Sequence, residues 1–225
     1  MTDISVETAV PTSNFAPIPA IDEGSYPAWV SGIYLIGTQE QRPFEGKEKL
    51  PCKEIMITVE LAGITWETEG TDEYPSEVRA RVLSRTMPFI FSDRANFSKT
   101  LRALDPDGSK TNQYKSLSAL LGLPCQATVI KKERADKQGF NNYMQAITSP
   151  AVLPGWVQPV ATVEPTLFNF YADTFETYLD MPKWVQKKCT EASDFPGSKL
   201  EKYISESQTV SQEEPTEATA GGHSV

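Results

Sequence analysis

Residues 78–104 read VRARVLSRTMPFIFSDRANFSKTLRAL, and the spacing of their apolar side chains changes from two to about three and a half part-way along. Strand alternation over 78–85 puts Val78, Ala80 and Val82 on one face and Arg79, Arg81, Leu83 and Arg85 on the other. The apolar face is expected to enter a core, and the other to present three guanidinium groups to solvent. After Met87-Pro-Phe-Ile-Phe91, Ser92 is placed to cap a helix over 93–104, with Asp93 near its positive end. Phe97, Leu101 and Leu104 then fall at i, i+4 and i+7 as one apolar stripe. Asp105-Pro-Asp-Gly108 stops the helix.

Upstream, 26–37 (YPAWVSGIYLIG) is rich in strand-forming residues, with Gly32 and Gly37 signalling a bend or bulge. A polar turn region is expected over 38–51. In 52–61 (CKEIMITVEL), Ile55, Ile57, Val59 and Leu61 face in, and Glu54, Met56, Thr58 and Glu60 face out. An acidic loop over 62–76 leads to the arginine strand. Downstream, a short helix (KSLSALLG) ends at Gly122, and a hairpin pairs 125–132 with 142–148 through a charged turn. The order is three strands, a helix and two strands, that of a five-stranded oligonucleotide-binding (OB) barrel with its helix between strands 3 and 4. The fold class is mainly β (α+β).

The remaining chain divides by composition. Residues 1–24 are expected to be a flexible polar arm without positive charge, and 25–150 the barrel domain. Residues 151–206 are an extended Pro-punctuated segment followed by short helices near 173–191 and 198–206, with Pro182 in a first helical turn and Asp180 as its cap. Trp184, Val185 and Lys188 or Cys189 form a short amphipathic stripe. The barrel does not explain this appendage; self-association and partner docking are the roles open to it. Residues 207–225 hold Glu but no Lys or Arg and are expected to be a disordered acidic tail.

Net charge is −9, yet 76–140 carries 12 Lys/Arg against 6 Asp/Glu while the rest carries 9 against 24. A basic segment in an acidic chain points to an anionic partner there. The one histidine, His223, lies in the tail, which removes His-based triads and makes a His-containing zinc site a poor fit. No phosphate-loop or dinucleotide fingerprint occurs. No catalytic residue, metal or cofactor is expected, and the chain reads as a non-enzyme. Three separated cysteines and an N-terminus without signal-peptide features read as a reduced cytoplasmic protein. No apolar run is long enough to span a membrane.

Single-stranded nucleic acid requires cations that track phosphates and rings on which bases stack. The candidate cations are Arg79, Arg81 and Arg85 on the third strand, Arg94 on the helix, and Lys131, Lys132, Arg134 and Lys137 on the hairpin. The rings beside the basic groups are Trp29, Tyr34, Phe89, Phe91, Phe140 and Tyr143; Phe140, whose place in the hairpin turn suits a core least, is the first stacking candidate, then Tyr34 and Tyr143. Trp29 reads as core. Edge-strand protection against aggregation is the competing reading of the three arginines.

Four stretches carry a resemblance: Tyr26-Pro-Ala-Trp-Val-Ser-Gly-Ile-Tyr-Leu-Ile-Gly-Thr-Gln, Lys53-Glu-Ile-Met-Ile-Thr-Val-Glu-Leu, Leu120-Leu-Gly-Leu-Pro-Cys-Gln-Ala-Thr-Val and Asn142-Tyr-Met-Gln-Ala-Ile. Over about 26–150 the chain resembles the bacteriophage-encoded OB-fold single-stranded DNA-binding proteins. The resemblance implies non-catalytic coating of single-stranded DNA in replication or recombination, in the host cytoplasm, with a C-terminal tail that contacts replication or recombination proteins. The tail here lacks the terminal acidic-plus-aromatic tip of the best-known single-strand binders. The alternative is a regulatory or virion-associated adaptor that binds protein through the barrel and the C-terminal helices.

Overall fold

Alternating apolar residues and one tight turn produce the long hairpin that organises the molecule. In the computed structural model, which describes residues 18–68, 75–134, 139–149, 160–172 and 174–210, β1 (Gly24–Phe44) pairs antiparallel with β2 (Lys47–Glu67). Glu45 and Gly46 connect them, both at positive φ (52° and 75°), as a two-residue hairpin turn of matching twist requires. The expected polar turn over 38–51 is therefore mostly ladder, with Thr38 opposite Lys53 and Gln41 opposite Lys49. Polar side chains obscured it, because a ribbon solvated on both faces shows no apolar alternation.

β3 (Val78–Pro88) pairs with β2, and β4 (Pro124–Glu133) with both β1 and β5 (Phe140–Thr148). The order β3-β2-β1-β4-β5 wraps into a nearly closed five-stranded barrel of OB type, with β3 and β5 flanking the seam. Helix α1 (Asn96–Leu104) packs against both seam strands. Its Phe97, Leu101 and Leu104 enter the barrel core beside Ile57, Val59 and Val129. The helix begins later than expected. Ala95 is the N-cap and makes no side-chain bond, so Ser92 is not the cap, and Asp93 instead pairs with Arg102 at 2.8 Å. The short second helix is a single 3-10 turn, Leu117–Leu120, closed by Gly122 at φ 71°.

The arginine strand has the expected two faces with inside and outside exchanged. Leu83 lies opposite Val59 and Met87 opposite Ile55, and all four are buried in the barrel. By parity Arg81 and Arg85 share that core-facing side, while Val78 on the other is 71% exposed. Leu83 and Met87, each with a larger side chain than Val78, Ala80 or Val82, outweigh those three.

The outer face of β1 and β2 supports a second core. Register shifts at Gly32 and Gly37 turn β1 outward, so Tyr34 and Ile36 leave the barrel side. There β6 (Thr166–Asn169) adds in parallel to Gly32–Leu35, past the point where β4 stops pairing. Helices α2 (Lys183–Thr190) and α3 (Lys199–Val210) complete the appendage, with Val185, Cys189 and Leu200 fully buried against Phe168 and Phe170. Pro182 is the N-cap of α2 rather than a first-turn residue, and Asp180 makes no cap bond to it. Of the expected stripe, Val185 and Cys189 are core and Trp184 is 46% exposed. Met56, Thr58 and Glu60 point out of the barrel, as read, but are buried beneath this layer. The Glu60 carboxylate accepts from the Thr162 and Val163 backbone N–H groups at 2.9–3.0 Å and from the Thr162 hydroxyl at 2.8 Å.

Candidate nucleic-acid interface

Asn142 is the joint of the candidate surface. On β5 it lies opposite Lys131 of β4, and across the seam its Oδ1 accepts from Arg81 Nη2 of β3 at 3.1 Å. One row therefore crosses three strands: Arg81, Asn142, Lys131. The same Oδ1 accepts from the Ile21 N–H at 2.8 Å, and Asn142 Nδ2 donates to the Ile21 carbonyl at 2.9 Å. Residues 21–23 are thereby held over the row. Asp22 meets Lys131 Nζ at 2.7 Å, and the Glu23 carboxylate accepts the Lys131 N–H at 2.7 Å. The hydrogen bond and charge of Lys131 hold the Asp22 carboxyl below its usual range, and Asp22 raises the lysine in return.

Arg81 is only 6% exposed, so it is not the open phosphate contact expected of it. Its Nε is buried without a hydrogen-bond partner. Arg85, four residues along the same side, is half-buried and has no hydrogen-bond or ion-pair partner among the described residues. Burial lowers both guanidinium groups from their ordinary value; arginine keeps its charge all the same. Isolated buried charge is costly unless paired, and no carboxylate pairs with either arginine among the described residues.

The other candidates divide by position. Arg79 is exposed and pairs with Glu77 at 2.8 Å. Lys132 is exposed and lies 5.1 Å from the centroid of the Tyr143 ring, a cation–π contact. Phe140 and Tyr143 are 54% and 46% exposed on β5; Phe140 shares the face of the row, and Tyr143 lies with Lys132 on the other. Arg134, at the end of β4, is half-buried. Arg94 is exposed but lies beyond the far end of β3, away from the row. Lys137 lies outside the described residues, as does the acidic tail past Val210; its first four residues, 207–210, continue α3 and are not the disordered chain expected.

Tyr34 is a correction. It is 3% exposed within the second core, and its ring covers Gly32, where an added Cβ would meet that ring and sit 2.6 Å from Thr58 Oγ1. Burial raises its hydroxyl pKa, against hydrogen bonds with Thr166 and Thr58. The appendage occupies the face on which Tyr34 would have stacked bases. Trp29 is buried, as read.

Two participants, Trp66 and Asn142, escaped the sequence reading. Trp66, half-buried on β2, lies directly opposite Arg79 and adds a ring to the cationic strand. Phe91, one of the rings read beside the basic groups, is 58% exposed, edge-on to Phe89 and Phe97 at 5.1 and 5.3 Å. Asn142 had one local signal: paired asparagines at the start of a strand, where this residue type is depleted.

Among the described residues no group of three His, Cys, Asp or Glu is arranged to hold a metal ion, and no helix is long and apolar enough to cross a membrane. No protein-family model, curated protein or solved structure matches the chain.

Proposed function

We propose that this chain binds single-stranded DNA without catalysis and with little sequence preference, along the β3–β5 seam and the β4–β5 hairpin. The observation that carries the reading is the pairing of unneutralised guanidinium groups with exposed rings. Arg81 and Arg85 have no carboxylate partner among the described residues, the exposed ring of Phe140 shares the face of β5 that carries Asn142, and Tyr143 meets Lys132 on the other face. Arg79, Arg85, Lys131, Lys132 and Arg134 contact phosphates in this reading, while Phe140 and Tyr143 stack bases. The OB-type barrel and the resemblance to phage single-strand binders support a coating role in replication or recombination.

Titration of oligo-dT at increasing salt tests it. Affinity should fall by about 0.7 log unit per neutralised phosphate for each decade of salt. Phe140→Ala and Tyr143→Ala should each weaken binding by about 1–3 kcal/mol. No binding at low salt, or binding indifferent to salt, ends the proposal. Titration of oligo-rU in parallel fixes the preference for DNA over RNA.

A second reading, a protein adaptor, has one observation in its favour: Leu179 and Trp184 on the appendage are 53% and 46% exposed. Under it, Trp184→Ala abolishes partner binding and leaves oligo-dT affinity unchanged.

A further inference from the structure

We propose that residues 21–23 are an acidic strap seated on a phosphate subsite formed by Arg81, Asn142 and Lys131, and that a nucleic-acid phosphate takes this subsite by displacing the strap. The inference rests on the single-strand-binding reading and adds to it both a subsite and its regulation.

In three of the strap's hydrogen bonds the row is the donor, as it would be to a phosphate; in the fourth the Ile21 N–H donates to Asn142 Oδ1, an acceptor that lifting the strap leaves to Arg81 alone. The Asp22 carboxylate takes the Lys131 ammonium, and the Glu23 carboxylate takes the Lys131 backbone N–H. Ammonium and amide N–H are both groups that bind phosphate oxygens. The Ile21 backbone is anchored to the side-chain amide of Asn142 on both its N–H and its carbonyl. Among the described residues that same amide oxygen is the only acceptor serving the Arg81 guanidinium, which keeps a buried Nε unused. Ile21 also packs against the barrel core at this point. With the strap in place, Arg81 has a neutral partner and no route to an anion. With it lifted, Arg81 and Lys131 lie on either side of Asn142 in one row.

The strap is lightly held. Asp22 is almost fully exposed and the Asp22–Lys131 pair is a surface ion pair, a kind weakened by solvent and salt. Anchorage by the two Ile21–Asn142 bonds, the Glu23 bond to the Lys131 N–H, one exposed ion pair and the packing of Ile21 suits a segment that closes the subsite in the free protein and yields to a polyanion. The carboxylates also screen out weak competitors: a single small anion must displace the whole strap for one contact, whereas a polynucleotide gains further contacts along β3 and the hairpin.

The test uses the full chain, wild type and the double variant Asp22→Asn/Glu23→Gln, with oligo-dT as the ligand. Amide hydrogen exchange at Ile21 reports the strap, and the titration reports affinity. In the wild type the Ile21 amide should lose its protection on saturation with oligo-dT. The double variant should bind about two- to five-fold more tightly at low salt, the span expected for loss of an exposed ion pair. Oligo-dT binding with Ile21 still protected, or equal affinity of variant and wild type, overturns the strap and leaves the binding function standing. If neither protein binds oligo-dT, the binding function falls and the strap with it. Binding by the variant alone supports the strap as the competitor.

Discussion

Gly37 is where the appendage comes closest to the barrel strand, and replacing it with alanine isolates how the two layers are joined. The residue has φ 84°, in the left-handed region. An added Cβ would lie 2.8 Å from Ala192 Cβ, 2.9 Å from Asp194 Oδ1 and 3.2 Å from Phe170 Cδ2. The left-handed conformation costs a non-glycine residue about 1–2 kcal/mol. Crowding of a packed contact adds about 1–3 kcal/mol. Gly37→Ala should therefore destabilise the protein by about 2–5 kcal/mol. Gly197 is the control within the same appendage: it has φ 77°, but nothing lies within 4 Å of its added Cβ. Gly197→Ala should show the backbone cost alone, about 1–2 kcal/mol. Urea unfolding of the two variants, with hydrogen exchange over 160–210, reads the difference. Equal losses in both variants would refute close packing at Gly37. The oligo-dT affinity of Gly37→Ala should equal that of the wild type, because the appendage and the arginine seam contact different parts of the barrel.

Asp194 should confer stability that is lost in acid. Burial raises its carboxyl pKa, but bonds from Tyr171 and from the Thr38 N–H and hydroxyl outweigh burial and hold it below 3.8. The contribution is complete above the ordinary carboxylate range and disappears as pH falls through the lowered value. Melting curves of wild type and Asp194→Asn should accordingly converge in strong acid. Its partner Tyr171 is pushed up to about 12 by burial and by that carboxylate, so its stabilisation is full below pH 10 and lost towards pH 12, as ultraviolet titration of the phenol would show. Burial pushes the Cys125 and Cys189 thiols up to about 12; Cys52 is partly exposed. One of the three cysteines should react rapidly with a thiol reagent in the native protein, and all three in denaturant. Phe97→Ala should cost about 3–5 kcal/mol in urea unfolding, as befits a fully buried ring. Asn142→Asp, isosteric and negative beside Arg81 and Lys131, should weaken oligo-dT binding about tenfold or more, since bonds to charged groups are worth about 1.5–3 kcal/mol. Unchanged affinity in that variant would remove Arg81 from the binding surface.

Local patterns made the barrel legible. The stripe of Phe97, Leu101 and Leu104, the glycine stop at 122 and the 124–148 hairpin each follow from spacing within a few residues, and their order along the chain specifies the topology. Features that depend on distant segments were hidden. Tyr34 looks like an accessible ring until Phe168 and Phe170, more than 130 residues later, cover that face. Glu60 looks like a solvent-facing acid until the Thr162 and Val163 amides reach it. A strand buried on both sides carries no alternation that distinguishes the barrel interior from a second core.

Parity separated the arginines from Val78, Ala80 and Val82 but did not say which set faces inward. Leu83 and Met87 decide that, and they bring Arg81 and Arg85 with them to the core-facing side. Such a placement costs stability, and a carboxylate at position 142 would relieve part of that cost at hydrogen-bonding distance from Arg81. The chain has an amide there, while a carboxylate from the strap sits one strand away on Lys131. An arrangement selected for stability alone would neutralise the buried guanidinium from within the barrel. In the proposed reading, the neutral partner of Arg81 and the strap-borne acidic partner of Lys131 together leave two positive charges for an anion that arrives from outside.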